Sequence, residues 1–548
     1  MKFPHNIFEQ LEQAGDTVVL QELREGETVK ATGRDLLTMV AQARSFLASQ
    51  GLRKGDRCAL LAHNSIRWVA MDLAIIAEEL IVVPLYARQA PAELVAMMKD
   101  CSPSLICCGD AVLRDSISRA WPEARPQFLF DEIFATQASL VPKPSLAESD
   151  PIAIIYTSGT SGEPKGVVLT AGNVGHILGC TSARLDLLMN NRPGQDRLYQ
   201  YAPLCFAAAW ITLLTSLLRR SLVTMNTDLT RLATEIRGSA PDYFVNVPAL
   251  LERMRRAVDE QLWKTGGLLR TIYSYAKVAW IKKQEGRSTF IGALWLVLAN
   301  ALIFPAIRKK MIGANLKALI CGSAPLSMDT HLYFMMLGIP VLQVYGLTET
   351  TAICTMDDPR HVEPGRVGPA ISGIEMKLGA NDEILVRGPN IFSGYWNRPQ
   401  ETAKALRDGW FHTGDQGDVD ASGNWKIIGR IKNLIILSSG HNIAPEPIED
   451  ELLRILPGAQ HAVLVGNGRG YLSALVTGDV MREQVQAAID GLNENLPHYK
   501  QIRAFQIYPE SFSVENGMLT VNGKLKRDLI ATRLKSEIEE MYQVKQAV

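Results

Sequence analysis

Apolar residues recur along this chain in two rhythms. Short unbroken runs, Arg57-Cys-Ala-Leu-Leu-Ala62, Ile81-Val-Val-Pro-Leu85 and Ile152-Ala-Ile-Ile155, read as strands, and Trp68 to Leu80 carries the spacing of an amphipathic helix. Strand, helix, strand in succession is the βαβ rhythm of a mostly parallel sheet, so the pattern predicts an α/β fold. Val167-Val-Leu169 resumes the apolar pattern after a polar, glycine-rich stretch, which makes the region from Ile152 a strand, loop and strand. Towards the end, Glu446 to Leu456 reads as a helix stopped by Pro457 and Gly458, and Ala462-Val-Leu-Val465 as a strand. The predicted organisation is a large multi-sheet N-terminal domain over residues 1–430, with a helical insert at about 250–315, and a small α+β domain over 431–548. A chain of 548 residues exceeds what one hydrophobic core usually serves, which independently asks for two domains.

The loop between the two strands carries the first chemistry. In Tyr156-Thr-Ser-Gly-Thr-Ser-Gly-Glu-Pro-Lys-Gly166, the glycines Gly159, Gly162 and Gly166 let backbone approach a ligand closely. Thr157, Ser158, Thr160 and Ser161 offer hydroxyls and Lys165 a cation, a set that suits a polyphosphate. The spacing is not that of a P-loop, because no Lys-Ser or Lys-Thr pair follows a Gly-x-x-x-x-Gly. A polar surface hairpin is the plain alternative.

Four further segments follow in order: Gln343-Val-Tyr-Gly-Leu-Thr-Glu-Thr350, Gly409-Trp-Phe-His-Thr-Gly-Asp415, Gly429-Arg-Ile-Lys432 and Asn522-Gly-Lys524. With the loop they resemble the adenylate-forming superfamily over nearly the whole chain. Gly440-His-Asn-Ile-Ala-Pro-Glu-Pro-Ile-Glu449, Val465 to Leu475 and the helix-rich insert before Gly322-Ser-Ala-Pro325 are similar to the long-chain fatty acyl-CoA synthetases. The resemblance implies ATP, Mg²⁺ and CoA as reactants and cofactors, with a fatty acid activated first to acyl-AMP and then joined to CoA. It also implies that the small C-terminal domain is mobile.

Residue by residue, the resemblance gives Glu349, after Thr348, the role of Mg²⁺ ligand. It places Tyr345 and Gly346 on one side of the adenine and Gly322, Ser323 and Ala324 on the other. Thr157, Ser158, Gly159, Thr160 and Lys165 are to hold the phosphates, Thr160 among the catalytic groups. Asp415 would accept both ribose hydroxyls, Arg430 lies near ribose and phosphate, Lys432 occupies the hinge position, and Gly440 meets pantetheine. Lys524 matches the catalytic lysine of adenylation, with Lys526 as rival. Val521 and Asn522 depart there from the family's usual proline and threonine. A second departure is Phe206, where histidine is common, followed by Ala207-Ala-Ala-Trp210; Phe206 and Trp210 are the expected acyl-pocket residues. Phe206 keeps two alternatives open, transfer of the acyl group to a carrier protein or closure of a β-lactone from a hydroxy acid; a non-catalytic lipid- or nucleotide-binding relative is a third, against which the presence of Thr160, Glu349, Asp415, Arg430 and Lys524 counts.

Charge and composition narrow the partners. The 57 basic and 57 acidic residues cancel, which argues against nucleic acid as a dominant partner. Eight cysteines without metal-ligand spacing read as reduced, packed thiols. Met1-Lys-Phe-Pro-His-Asn6 has no apolar signal region, so the expected location is cytoplasmic, or peripheral on the inner face of a membrane. Ser288 to Ile307 is twenty residues without charge, long enough to span a bilayer, but Gly292, Asn300 and Pro305 dilute it. The expectation is a helical hairpin starting near Leu250 that lies on a membrane surface, or else a helical cap packed on the protein.

Overall fold

The structure, a computed structural model, describes residues 2–24, 27–139, 145–158, 164–191, 194–265, 267–284, 286–313, 315–520 and 523–543. The chain divides into two compact units. The first holds residues 1–376, 386–411 and 420–425; the second holds 377–385, 412–419 and 426–548. The main run of the second unit thus starts at Lys426, a little before the expected boundary after Arg430, and two earlier segments join it.

Two mostly parallel sheets build the first unit. In one, strands Arg57–Leu61 and Ile81–Leu85 pair in parallel, Leu105–Cys108 flanks the first, and Pro151–Ser158 flanks the second. Every residue of Ile81–Leu85 is buried, as expected of a strand covered on both faces. The apolar runs on either side of the glycine-rich loop form an antiparallel hairpin, Pro151–Ser158 with Pro164–Thr170, and Gly394–Tyr395 adds to its outer edge. The second sheet has eight strands. Its parallel centre contains Arg197–Gln200, Tyr243–Asn246, Ala318–Cys321 and Val341–Tyr345. All-parallel pairing of consecutive strands forces helical crossovers, and these helices supply the layers between which the sheets are buried.

Helix Ile66–Ala77 is one such layer. Ser65 caps it by accepting from Trp68 N–H, and it is buried at every position but Arg67, which leaves Asp72 in the core at 0 % exposure. One Asp72 oxygen accepts from Trp210 Nε1 at 3.0 Å. Burial pushes the Asp72 carboxyl up to about 7, with the indole bond opposing the shift. An acid whose folded pKa exceeds its unfolded value binds its proton more tightly when folded. The stability associated with it is therefore lost as pH rises from the ordinary carboxylate range through about 7 and is level above that. Asp72→Asn is expected to melt at a higher temperature than the parent protein, by a margin that widens between about pH 5 and about pH 8 in thermal scans.

The insert is helical: Pro248–Thr265, Gly267–Gln284, Phe290–Leu302 and Phe304–Met311. The uncharged run Ser288 to Ile307 is therefore broken, because its last two helices meet at 43°.

In the second unit, Ala459–Val465 and Leu472–Gly478 pair antiparallel, and Ile502–Tyr508 pairs in parallel with the latter. One sheet face buries Leu452, Ala474, Val476, Val485 and Ile489 beneath helices Glu446–Ile455 and Arg482–Asn493. The other buries Val463, Leu475, Phe512, Ile530 and Met541. Strand alternation sends neighbouring residues Ala474 and Leu475 into opposite layers.

Candidate active site

Within the first unit, the expected nucleotide residues gather at the carboxyl ends of parallel strands. Gly322, Ser323 and Ala324 follow strand Ala318–Cys321, and Tyr345 and Gly346 end its neighbour, with Cys321 opposite Gln343. Carboxyl ends of parallel strands are where open α/β sheets leave a crevice. Gly322 is constrained by sterics: a Cβ there would lie 2.6 Å from Val344 Cγ2. Gly346 is tighter still, with the Ala352 carbonyl and Ile353 Cα in the space a side chain would need. Ser323 has a positive φ of 73°, an unusual setting for a non-glycine residue.

A second group forms around Glu349. The Tyr395 hydroxyl donates to Glu349 Oε1 at 2.8 Å, and Lys165 Nζ lies 5.4 Å from the centre of the Tyr395 ring. Lys165 also pairs with Glu401, whose carboxyl it holds below its usual range. Thr157 is opposite Lys165 in the hairpin register. The fold thus brings the lysine of the glycine-rich loop and the Glu349 carboxylate onto one aromatic residue. Half-buried, with a fixed donor on one oxygen, Glu349 is chemically suited to a hard cation beside a polyphosphate. Gly159 and Thr160 lie outside the described residues, as does the Ser158 side chain. Tyr395→Phe is expected to lower acid-dependent adenylation about tenfold, the effect of about 1.4 kcal/mol for a hydrogen bond to a charged group. Pyrophosphate release measured across a magnesium titration checks it.

Phe206 and Trp210 share one helix start, since Trp210 N–H donates to the Phe206 carbonyl at 2.9 Å. The half-buried Phe206 ring packs on Tyr86 at 5.5 Å between centroids, whereas the Trp210 indole is fully enclosed and bound to Asp72.

The second unit holds a separate set. Asp415 is 5 % exposed and pairs with Arg430 Nε at 2.8 Å, while Arg430 Nη1 donates to the Thr413 carbonyl at 3.0 Å. The Asp415 N–H in turn donates to Thr413 Oγ1 at 3.0 Å. These bonds fix the carboxylate and guanidinium as one unit. Lys524 stands in a turn in which its own N–H donates to Thr520 Oγ1 at 3.1 Å and its carbonyl accepts from Thr520 N–H at 2.8 Å. Gly523, at φ 74°, supplies the left-handed residue this turn requires. Lys524 remains open to solvent along part of its length, yet its ammonium is held below its ordinary pKa by desolvation and then by Arg430, with Asp415 opposing. The same structural unit therefore brings Asp415, Arg430 and Lys524 together. Lys432 is lowered likewise, by burial first and by Arg430, with Asp528 working against both. Gly440 has φ 84° and nothing within 4 Å of a Cβ position; its N–H closes a turn onto the Leu437 carbonyl at 2.8 Å, and that turn alone accounts for the glycine.

Sequence reasoning passed over Tyr395, Glu401 and Thr413. Tyr395 reaches Glu349 because the Gly394–Tyr395 strand pairs with Pro164–Thr170, a register that no local pattern announces. Thr413 stands within the motif Gly409 to Asp415, where its hydroxyl reads as one more turn residue.

Comparison with known proteins agrees with this layout. The model of the AMP-binding enzyme family matches residues 7–396, and that of the AMP-binding enzyme C-terminal domain matches 432–546. A long-chain-fatty-acid–CoA ligase of Mycobacterium bovis is 28% identical over 584 residues, covering 98% of this chain and 96% of the relative. One from Rattus norvegicus is 26% identical over 590 residues, covering 91% and 87%. Among solved structures, the o-succinylbenzoate CoA synthetase of Bacillus subtilis with its acyl-adenylate intermediate aligns with a TM-score of 0.75 at 21% identity, covering 96% and 97%. An anthranilate CoA ligase with anthranoyl-AMP aligns at 0.75 and 18% identity, covering 97% and 98%. These structural matches establish the α/β fold, and the family match over most of the chain establishes the rest: this chain belongs to the AMP-binding enzymes.

Proposed function

We propose that the protein is an AMP-forming acid–thiol ligase that activates a long-chain fatty acid with ATP and transfers the acyl group to CoA. In the first half-reaction a carboxylate oxygen attacks the α-phosphorus, and the bond to the bridging oxygen breaks to release pyrophosphate. In the second, the CoA thiol gives up its proton and attacks the acyl carbon, expelling AMP. Splitting the reaction turns a poor electrophile into a good one.

The observation that carries this reading is the gathering of Lys524 with Asp415 and Arg430. Asp415 is an acceptor for ribose hydroxyls, and Lys524 is a cation for the charge that builds between carboxylate and α-phosphate. Glu349 and Tyr395 in the first unit suit magnesium, which supplies charge neutralisation on the triphosphate when bound. Relatives named as long-chain-fatty-acid–CoA ligases that align over nearly the full chain support the acid and the thiol.

One observation favours a second reading. Phe206 packs an apolar ring on Tyr86 where the resemblance expects histidine, so an adenylate-forming enzyme that passes its acyl group elsewhere, or closes a lactone, is the alternative. The test is mass spectrometry of products from Mg-ATP and a mixture of medium- and long-chain fatty acids, with and without CoA. Acyl-CoA and AMP that appear only with CoA support the ligase and report chain preference. Acyl-AMP without thioester supports the alternative, and no AMP from any acid removes both.

A further inference from the structure

We propose that the helical hairpin formed by Gly267–Gln284 and Phe290–Leu302 is a docking device for an anionic lipid bilayer, inserting the apolar start of its second helix among headgroups. The two helices are locked side by side. Tyr275 and Trp295 stack with centroids 5.0 Å apart, and Gly292 comes so close to Ala279 that a Cβ on it would lie 3.2 Å from the Ala279 methyl. The hairpin is therefore a built structure, and its second helix turns apolar side chains outward.

Phe290 is 89% exposed, Ile291 69%, Leu294 54% and Val297 64%, positions that share one helical face. Val278 and Ile281 on the first helix are also exposed. Isolated exposed apolar residues are ordinary, but a helical stripe of this kind at the end of a hairpin is a contact surface.

Charge selects the occupant. From Gly267 to Met311 the sole acidic residue in the sequence is Glu285, against Arg270, Lys277, Lys282, Lys283, Arg287 and Arg308-Lys-Lys310, in a chain that is neutral overall. Lys282, Lys283 and Arg287 are exposed and flank Ile281, Phe290 and Ile291 in the chain. Apolar prongs inside a cationic collar match a surface with hydrocarbon beneath negative headgroups. The hairpin lies on the bilayer and does not cross it. No described helix alone is long and apolar enough to span, and in the bent pair that could, Ile303, Phe304 and Ile307 are buried in the protein.

The experiment is co-sedimentation of the full-length protein with phosphatidylcholine vesicles, pure or containing about one-third phosphatidylglycerol. The parent protein is expected to bind the anionic vesicles and to be released by salt. Phe290→Asp/Ile291→Asp is expected to weaken partitioning about tenfold or more, and Lys282→Glu/Lys283→Glu to abolish the preference for phosphatidylglycerol. The aspartates fall in the first turn of a helix capped by Thr289, where negative charge is favourable, so the fold is retained; circular dichroism verifies it. Undiminished vesicle binding by a folded Phe290→Asp/Ile291→Asp variant overturns the proposal. So does a parent protein that ignores both vesicle types, including one that instead self-associates through Phe290 and Ile291 in sedimentation velocity.

Discussion

Lys524→Ala is expected to slow acyl-AMP formation about 100-fold or more, equivalent to about 3 kcal/mol, the effect of removing one preorganised charge-stabilising group. Negative charge moves from the carboxylate towards the α-phosphate and pyrophosphate as the bond forms, and a fixed ammonium is worth most where water is partly excluded. The lowered pKa of Lys524, caused first by desolvation and then by Arg430, marks such surroundings. Asp415 opposes that shift, favouring the charged ammonium. Two controls separate the role from general damage. Thioester formation from preformed acyl-AMP and CoA should change little, because that step does not use the cation. Lys526→Ala, which keeps the backbone bond from the residue 526 N–H to the Met518 carbonyl at 2.9 Å and so the local fold, should retain most adenylation. Equal losses in Lys526→Ala, or unchanged acyl-AMP formation in Lys524→Ala, would reverse the assignment. Raising the pH should also abolish adenylation below the ordinary lysine range, because deprotonation removes the charge.

The second large effect is on stability. Glu449 is 4% exposed and accepts from Leu464 N–H at 2.6 Å, from Arg527 Nη1 at 2.7 Å and from Arg527 Nη2. It joins helix Glu446–Ile455 to strand Ala459–Val465 and to the start of helix Arg527–Arg533. Glu449→Ala leaves a guanidinium and an amide without their acceptor inside the protein, and removal of one partner from a buried pair costs about 3–5 kcal/mol. Glu449→Leu with Arg527→Leu should recover most of the loss, because an apolar replacement of both partners leaves no orphaned charge. Native-state hydrogen exchange on the intact chain reads both: amides of the second unit should open more readily in the single variant and return towards the parent in the double. Protection that stays at the parent level in Glu449→Ala would show the pair to be dispensable. The consequence extends to chemistry, since Arg527 follows directly on the segment that carries Lys524 and Lys526.

Several elements were legible in the residues alone. The run Ile81 to Leu85 reads as a strand, and the structure forms that strand and buries every residue of it. The turn from Tyr156 to Gly166 joins two apolar runs, and those runs pair as a hairpin. Near Ser288 the same reasoning had less to hold. An uncharged run measures hydrophobicity without saying which side of a helix will find a partner, and Ile303, Phe304 and Ile307 are buried while Phe290, Ile291, Leu294 and Val297 are exposed.

The sequence by itself determined the α/β class, the order of the chemical motifs and the superfamily they resemble. These follow from local rules: apolar period, turn residues and the spacing of groups that must serve one reaction. Only the tertiary structure decided that Tyr395 serves Glu349, that Asp415, Arg430 and Lys524 gather in the second unit, and that Trp210 is enclosed against Asp72. Each of these joins residues far apart in the chain through sheet register or core packing. Such contacts are chosen by the global burial of apolar surface, which no short window of sequence contains.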